Sequence, residues 1–421
     1  MHSILENHLN FYERKNQNIF NYALLSLKQE YENKDKEIFN SKWRKENGYI
    51  PHGTRQRTLI TIFGKLTYKR HRYLIWNKTG YRFVYLSDIA LGIKKYQRIT
   101  THLQIKILSL IAKGKRYQDI SDCFPHLNIT TNTITNIINR IKLDSLEEIT
   151  MKKVKPIKLD QYLYVNIDDT FLNLKENNKK QQYRIRVILF HTGYDLEKSR
   201  PNKKILKNSR IFMFLNKKNQ YYDNQLMFEK IQNLAKTFYN NIDKAKIIIS
   251  GDGASWIRNC QKYWPNSTYL LDRFHMIRKL RQLFNPNNKL MQPVYENLRV
   301  AFFNGKYQEM IKILSKPWFN DQYKITKLKE LKYYLQHNER NQGISNQKYD
   351  FNIGCSIEST ISHHVKWLLG YGSKAFSKEI YLKILTLHFA SVNKINIIDL
   401  FKEIFVEQWN SNLHIAWQKN N

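Results

Sequence analysis

A strand that must be buried, yet ends on two adjacent carboxylates, restricts the fold of this chain more than any other feature. The run YLYVNIDDTFLNLK, Tyr162 to Lys175, is built from β-branched, aromatic and aliphatic residues and then presents Asp168 and Asp169. An ionised carboxylate withdrawn from water is costly unless a cation or a ligand compensates it. The pattern recurs twice. AKIIISGDG brings Asp252 to the end of a second buried strand, between two glycines. Glu358 stands in the first turn of the otherwise apolar helix GCSIESTISHHVKWLLG. In open α/β sheets, sites gather beyond the carboxyl ends of strands. Asp168 and Asp252 are therefore expected to converge there, with Glu358 closing the site from a helix packed on the sheet.

The surroundings of these runs predict an α/β domain with a mixed sheet, from about residue 155 to 421. QYRIRVILFHTGYDL, RIFMFLNK and STYLLD read as further strands, and NQLMFEKIQNLAKTFYNNI and RFHMIRKLRQLF as helices. Residues from about 276 to 350 carry lysine-rich helical patterns and no strand pattern, as an inserted helical segment would. Upstream, residues 1–50 read as helical. Residues 51–100 hold a β-hairpin signal in RTLITIFGKLTYKRHRYLIW, whose second strand bears Arg70 and Arg72. Residues 101–154 contain short helices joined by turns that resemble a helix-turn-helix. TTNTITNIINRI would then be the recognition helix, offering Thr130, Thr131, Asn132, Thr133, Asn136 and Arg140 to bases and phosphates. Solvated helix faces and a solvated sheet edge are the plainer readings of the same residues.

Charge speaks to partners. Seventy Lys and Arg stand against 35 Asp and Glu, a net charge of +35 over 421 residues. Abundant Lys, Asn, Ile and Tyr fit an AT-rich coding bias, but such a bias does not make acids scarce. Distributed cations are rewarded by dense phosphate through counterion release, so nucleic acid is the expected partner. Arg278, Lys279 and Arg281 in the inserted segment would follow a DNA backbone. Three scattered cysteines, with no C-x-x-C pairing, argue against a disulfide framework or a cysteine zinc site. No run is long and apolar enough to span a bilayer and no secretory leader is evident, so a cytoplasmic, nucleoid-associated protein without a membrane partner is expected.

Clustered carboxylates in a basic chain suit metal-assisted phosphoryl transfer. Mg²⁺ takes hard oxygen ligands, and a pair of ions can serve the attacking and leaving oxygens of one displacement. Plainer roles exist for each acid: an aspartate caps the turn or helix that follows a strand, and the helix macrodipole favours Glu358. Trp256 and Trp264 read as core residues rather than base-stacking ones.

NIDDTFLNL, IIISGDGASWI, YLLDRFHMIRKL and GCSIESTISHHVKWLLGYGSKAFS, in this order, resemble the DDE transposases of bacterial insertion sequences of the ISLre type, related to the Mutator-like group. RTLITIFGKLTYKRHRY is similar to the opening β-motif of that family. The resemblance implies an RNase H-like catalytic domain with two Mg²⁺ ions, for which Mn²⁺ substitutes. Those ions would drive strand cleavage at the element ends and strand transfer by the freed 3′-hydroxyl. It assigns Asp168, Asp252 and Glu358 as catalytic and metal-binding residues, with Asp169, Asp272 and His275 as accessory ones. It also implies double-stranded DNA partners, namely terminal inverted repeats and target, and a homo-oligomer at synapsis. The chain departs from the family pattern at Asn166, where an acid is expected, at Phe171, near an expected His, and at Phe376, near an expected Trp. Alternatives are a catalytically inactive DNA-binding protein and an RNase H-like nuclease that cleaves without joining.

Overall fold

The computed structural model describes residues 2–77, 80–201, 203–221, 223–368 and 376–413. Residues 369–375, within the run WLLGYGSKAFS, lie outside the described residues. The chain forms two compact units. One comprises Met1–Ile149 with Asn396–Asn421, and the other Thr150–Ile395. The last helix, Ile397–Leu413, thus groups with the amino-terminal unit, whereas the sequence reading carried it in the 155–421 domain.

In the first unit, helix α1 (His2–Asn40) covers one face of an antiparallel sheet of β1 (Ile50–Thr61), β2 (Gly64–Asn77) and β3 (Gly80–Val84). Leu24, Leu27 and Tyr31 pack on Leu59, Leu66 and Tyr68, and Ile38 packs on Tyr73 and Leu86. Carboxylates of α1 also accept backbone N–H groups of β2: Glu32 from Lys69 and Asp35 from His71. The third strand was missed because five residues, GYRFV, carry too little alternation to register. Arg70 corrects the sequence reading. It is 5% exposed, ion-paired with Asp88 and stacked 3.7 Å over the Tyr85 ring, so it is not offered to a phosphate. Beyond the sheet come α2 (Thr101–Ala112), α3 (Tyr117–Asp122) and α4 (Thr131–Asn139), whose apolar faces bury Leu103, Ile107, Ile120, Ile134 and Ile138.

The second unit is mixed α/β. Its five-stranded sheet contains β4 (Tyr162–Glu176), β5 (Lys179–His191), β6 (Arg210–Lys217), β7 (Lys246–Gly251) and β8 (Ser267–Leu271), in the order β8-β7-β4-β5-β6. β4, β5 and β6 are antiparallel neighbours, while β7 runs parallel to β4 and β8 parallel to β7. Asn177 and Asn178, both at positive φ, make the two-residue turn between β4 and β5, the geometry that matches strand twist in a hairpin.

Period-two alternation gives β4 two buried faces. Leu163, Val165 and Ile167 meet α5 (Asn224–Phe238) through Phe228, Ile231 and Ala235. The same core continues into α6 (Arg273–Leu283), α7 (Gln292–Phe303), α8 (Tyr307–Leu314) and α9 (Gln322–Glu339), which together fill the segment read as a helical insertion. Leu172 and Leu174 on the other face meet α10 (Ile357–His364) and α11 (Lys378–Val392) through Ile357, Ile361, Tyr381 and Leu385. Among the described residues no helix is long and apolar enough to cross a membrane.

Candidate metal centre

The alternation of β4 separates the two adjacent aspartates. Asp168 shares the face of Leu172 and Leu174, towards α10, and Asp169 takes the opposite face. There Asp169 receives two hydrogen bonds from its cross-strand partner Arg186, at 2.8 and 2.9 Å, and lies 3.9 Å from Arg184. The Arg186 guanidinium sits 3.7 Å over the Trp256 ring. Asp169 is thus an ion-paired structural acid, and the basic partner that the opening run required is on the neighbouring strand. Trp264 is buried in the core and Trp256 packs against it, as expected of both.

Asp168 has different company. Its Oδ1 accepts the Asp169 N–H at 2.8 Å, and its Oδ2 lies 3.7 Å from His275 Nε2 on α6. Donor atoms of Asp168, His275 and Glu358 all lie within 4.8 Å of one another. Asp168 is buried, and the other two are partly exposed, so the cluster opens to solvent. Three elements deliver these groups: β4 by its register in the sheet, α6 by its start after β8, and α10 by its packing on β4 and β5.

Asp252 stands at the margin of this cluster. It follows β7, and its Oδ1 accepts the Ala254 N–H at 2.9 Å in a tight turn. Its carboxyl is held above the ordinary range, first by burial and then by the charge of Asp168, against the Ala254 hydrogen bond. The GDG turn is pinned by α9: the Tyr334 hydroxyl donates to the Asp252 carbonyl at 2.7 Å. Gly253 has φ +94, and a Cβ there would come within 2.8 Å of the Tyr334 ring. Nothing in the sequence signalled this clamp, since α9 reads as a lysine-rich surface helix.

Asp272 is the N-cap of α6, its Oδ1 accepting from Phe274 N–H at 2.9 Å. Its Oδ2 lies 3.8 Å from His275 Nε2. Burial, with a smaller contribution from Asp168, pushes Asp272 up to about 6. For His275, burial acts downward, but the charges of Asp168, Asp272 and Asp252 outweigh it and the net direction is upward. At 3.7–3.8 Å these are ion-pair contacts rather than formed hydrogen bonds, and His275 Nε2 is a buried nitrogen without a hydrogen-bond partner. An imidazole held towards its charged form offsets part of the carboxylate repulsion.

A second network holds the parts in register. Asn166 is fully buried on the Asp168 face of β4. Its Oδ1 accepts the Ser356 N–H at 3.2 Å, at the start of the helix that carries Glu358, and lies 3.2 Å from His191 Nε2. His191 Nδ1 accepts the Gly193 N–H at 3.2 Å, so Nε2 carries the proton and donates it to Asn166. The residue that departs from the acid-rich family pattern thus joins the Asp168 strand to the Glu358 helix.

Of the residues read as DNA-binding, Thr130 caps α4 by accepting from Thr133 N–H, while Thr131, Asn132, Asn136 and Arg140 are exposed. Arg278, Lys279 and Arg281 are exposed on α6, and Arg72 is partly exposed. A groove of about 560 Å³ along α6 is lined by Arg278, Arg281, Phe274 and Ile277 among others.

A profile described as Uncharacterised protein family (UPF0236) matches residues 5–363. Two UPF0236 proteins of Caldanaerobacter subterraneus subsp. tengcongensis are each 26% identical over 349 and 348 residues, covering 82% of this chain and 69% of theirs. The name of the first joins eleven numbered designations. Among solved structures, that of NurA with manganese aligns at 13% identity with a TM-score of 0.10. It covers 65% of each chain, and a score that low carries no argument. The match over most of its length makes this chain a member of the UPF0236 family.

Proposed function

We propose that the protein is a DDE-type DNA transposase, of the ISLre kind that its motifs resemble. It would bind element ends and perform metal-dependent cleavage and joining of DNA strands. One observation carries the reading: Asp168, His275 and Glu358, up to 190 residues apart in sequence, bring their donor atoms within 4.8 Å. Such a cluster in a chain of net charge +35 suits a phosphodiester rather than an acidic or neutral substrate.

The sheet order and strand directions support an RNase H-like fold, with acids at the centre of β4, after β7 and on α10. The residues also fit a divalent cation. Two carboxylates and an imidazole nitrogen with no hydrogen-bond partner make a mixed oxygen and nitrogen donor set that suits Mn²⁺ as well as Mg²⁺. Asp168, His275 and Glu358 would hold one ion, and Asp252, outside that group, is the remaining carboxylate for a second. Bound there, such ions supply Lewis-acid activation of an attacking oxygen and stabilisation of a leaving one. The chain's own contribution is positional. Asn166 fixes the Glu358 helix against the Asp168 strand, Tyr334 fixes the Asp252 turn, and Asp272 orients α6 and with it His275.

α4, with its exposed Thr and Asn side chains, is the candidate recognition helix for double-stranded element ends, in a helix-turn-helix with α3. Arg278, Lys279 and Arg281 lie on the helix that carries His275 and would offer their charges to the phosphates of a bound strand. Support of a different kind comes from the relative whose name joins eleven designations in one organism, the pattern that a multicopy mobile gene produces. The test is incubation of the purified protein with DNA containing both flanks of its gene, with Mg²⁺ or Mn²⁺. Joined product supports the proposal, nicked product alone indicates a nuclease, and metal-independent binding without cleavage indicates a non-catalytic DNA-binding protein.

A further inference from the structure

The sheet face opposite α1 carries a row of uncovered aromatic rings. Trp76 is 65% exposed, Tyr81 59% and Phe83 42%. Register makes them neighbours, since Trp76 pairs with Tyr81 across β2 and β3, and Phe83 follows two residues later on the same face. Their centroids lie 5.6 and 5.8 Å apart, and the His52 ring continues the row 5.1 Å from Phe83. The Arg72 guanidinium sits 4.3 Å from the Phe83 centroid. The opposite face of the same strands is filled by Tyr73, Ile75 and Val84 against α1 and its neighbours, so the fold has no further use for these rings.

Exposed aromatics in a sheet have several possible occupants, and the charge around them selects one. From Asn47 to Ser87 the sequence holds no Asp or Glu and eight Lys and Arg, of which seven remain once the buried Arg70, paired with Asp88, is set aside. A protein interface core is depleted of charge and balances it at the rim. Rings set among cations without a single acid instead match a polyanion that carries planar groups. Duplex DNA stacks its bases internally and would leave these rings without a partner. Unpaired bases stack on aromatic side chains while cations track the backbone, as in sheet-based single-strand binders.

We propose that the exposed face of β1–β3 binds single-stranded nucleic acid, with bases stacked on Trp76, Tyr81 and Phe83 and phosphates held by Arg72 and its basic neighbours. The site shares no residue with the metal centre and does not depend on catalysis. Its sense in a strand-cleaving protein is capture of a strand end that has lost its pairing.

The test uses the full chain in EDTA, which silences any metal-dependent step. Fluorescence anisotropy is read with a labelled oligothymidylate of about twenty nucleotides and with a duplex of the same length. Trp76→Ala and Tyr81→Ala are expected to weaken oligothymidylate binding by roughly fivefold to a hundredfold each, and to leave duplex binding unchanged. Phe83→Lys, which removes a ring but adds a charge, is also expected to weaken it. Unchanged affinity in the Trp76→Ala, Tyr81→Ala double variant would overturn the proposal, as would tighter binding by Phe83→Lys. So would a double variant that binds normally but sediments as a smaller species, which would assign the face to self-association. Loss of single-strand binding with intact DNA joining would leave the transposase reading standing, and the reverse result would leave this one.

Discussion

Acidification should lower folding stability through a histidine that does not belong to the metal centre but holds the strand of Asp168 to the helix of Glu358 through Asn166. His191 is 1% exposed and stacked on Tyr164 at 4.9 Å, with both ring nitrogens committed. Burial holds its pKa at about 3, against an ordinary 6.5, with the Gly193 N–H included among its contacts. The sign follows. A histidine depressed in the fold is neutral in the native state and takes up a proton on unfolding. Its stabilisation is complete above about 6.5 and is lost as pH falls from there towards 3. One proton costs about 1.4 kcal/mol per pH unit in that window, so about 2 kcal/mol is lost by pH 5 from this residue alone.

The perturbation is His191→Gln, which keeps a neutral donor for Asn166 but cannot charge. Its absolute stability at pH 7.5 is expected to fall, because ring stacking is lost. The decisive quantity is the pH dependence of the stability gap between wild type and variant, from urea unfolding between pH 7.5 and 5. The gap should shrink as pH falls, with a slope approaching one proton. A flat gap would show that His191 is not kept neutral, and the reading of the Asn166 network would fail with it. In support, the His191 imidazole resonances of the native protein should stay in the neutral range at pH 5.

Two further outcomes test the correction at Arg70 and the clamp on the GDG turn. Arg70→Ala leaves buried Asp88 with the Tyr68 hydroxyl but without its cation, and should cost about 3–5 kcal/mol, read as a fall in melting temperature, whereas Arg72→Ala should scarcely move it. Gly253→Ala places a Cβ against Tyr334 at a positive φ. It should cost about 1–3 kcal/mol from backbone strain alone, and a variant as stable as wild type would refute the clamp.

The sequence carried the sheet because each strand of the second unit is a long apolar or alternating run with clear ends. RIFMFLNK coincides with β6, and STYLL with β8. It carried the acids because carboxylates in or just after a buried run are conspicuous, although β4 runs on through Asp168 and Asp169 to Glu176 instead of ending on them as the sequence suggests. The partners of those acids were less visible. Asp168 and Asp169 look equivalent in one dimension, and only strand alternation sends one to α10 and the other to Arg186. His275 read as accessory because a histidine inside a helix has many roles, yet its donor atoms group with those of Asp168 and Glu358, a group that does not include Asp252. Asn166, His191 and Ser356 are polar residues in apolar runs, and their link depends on a cross-strand register and a helix start 190 residues away. Arg70 misled because a basic residue in a basic strand looks solvated, and its partner Asp88 lies beyond the third strand.

Isothermal titration with Mn²⁺ bears most directly on the central claim. Wild-type protein should bind at least one ion per chain. Asp168→Asn and Glu358→Gln should each weaken that binding tenfold or more, by roughly the loss a removed ligand or orienting partner brings, while Asp169→Asn leaves it intact. Mn²⁺ binding that survives in the Asp168→Asn, Glu358→Gln double variant would contradict the account.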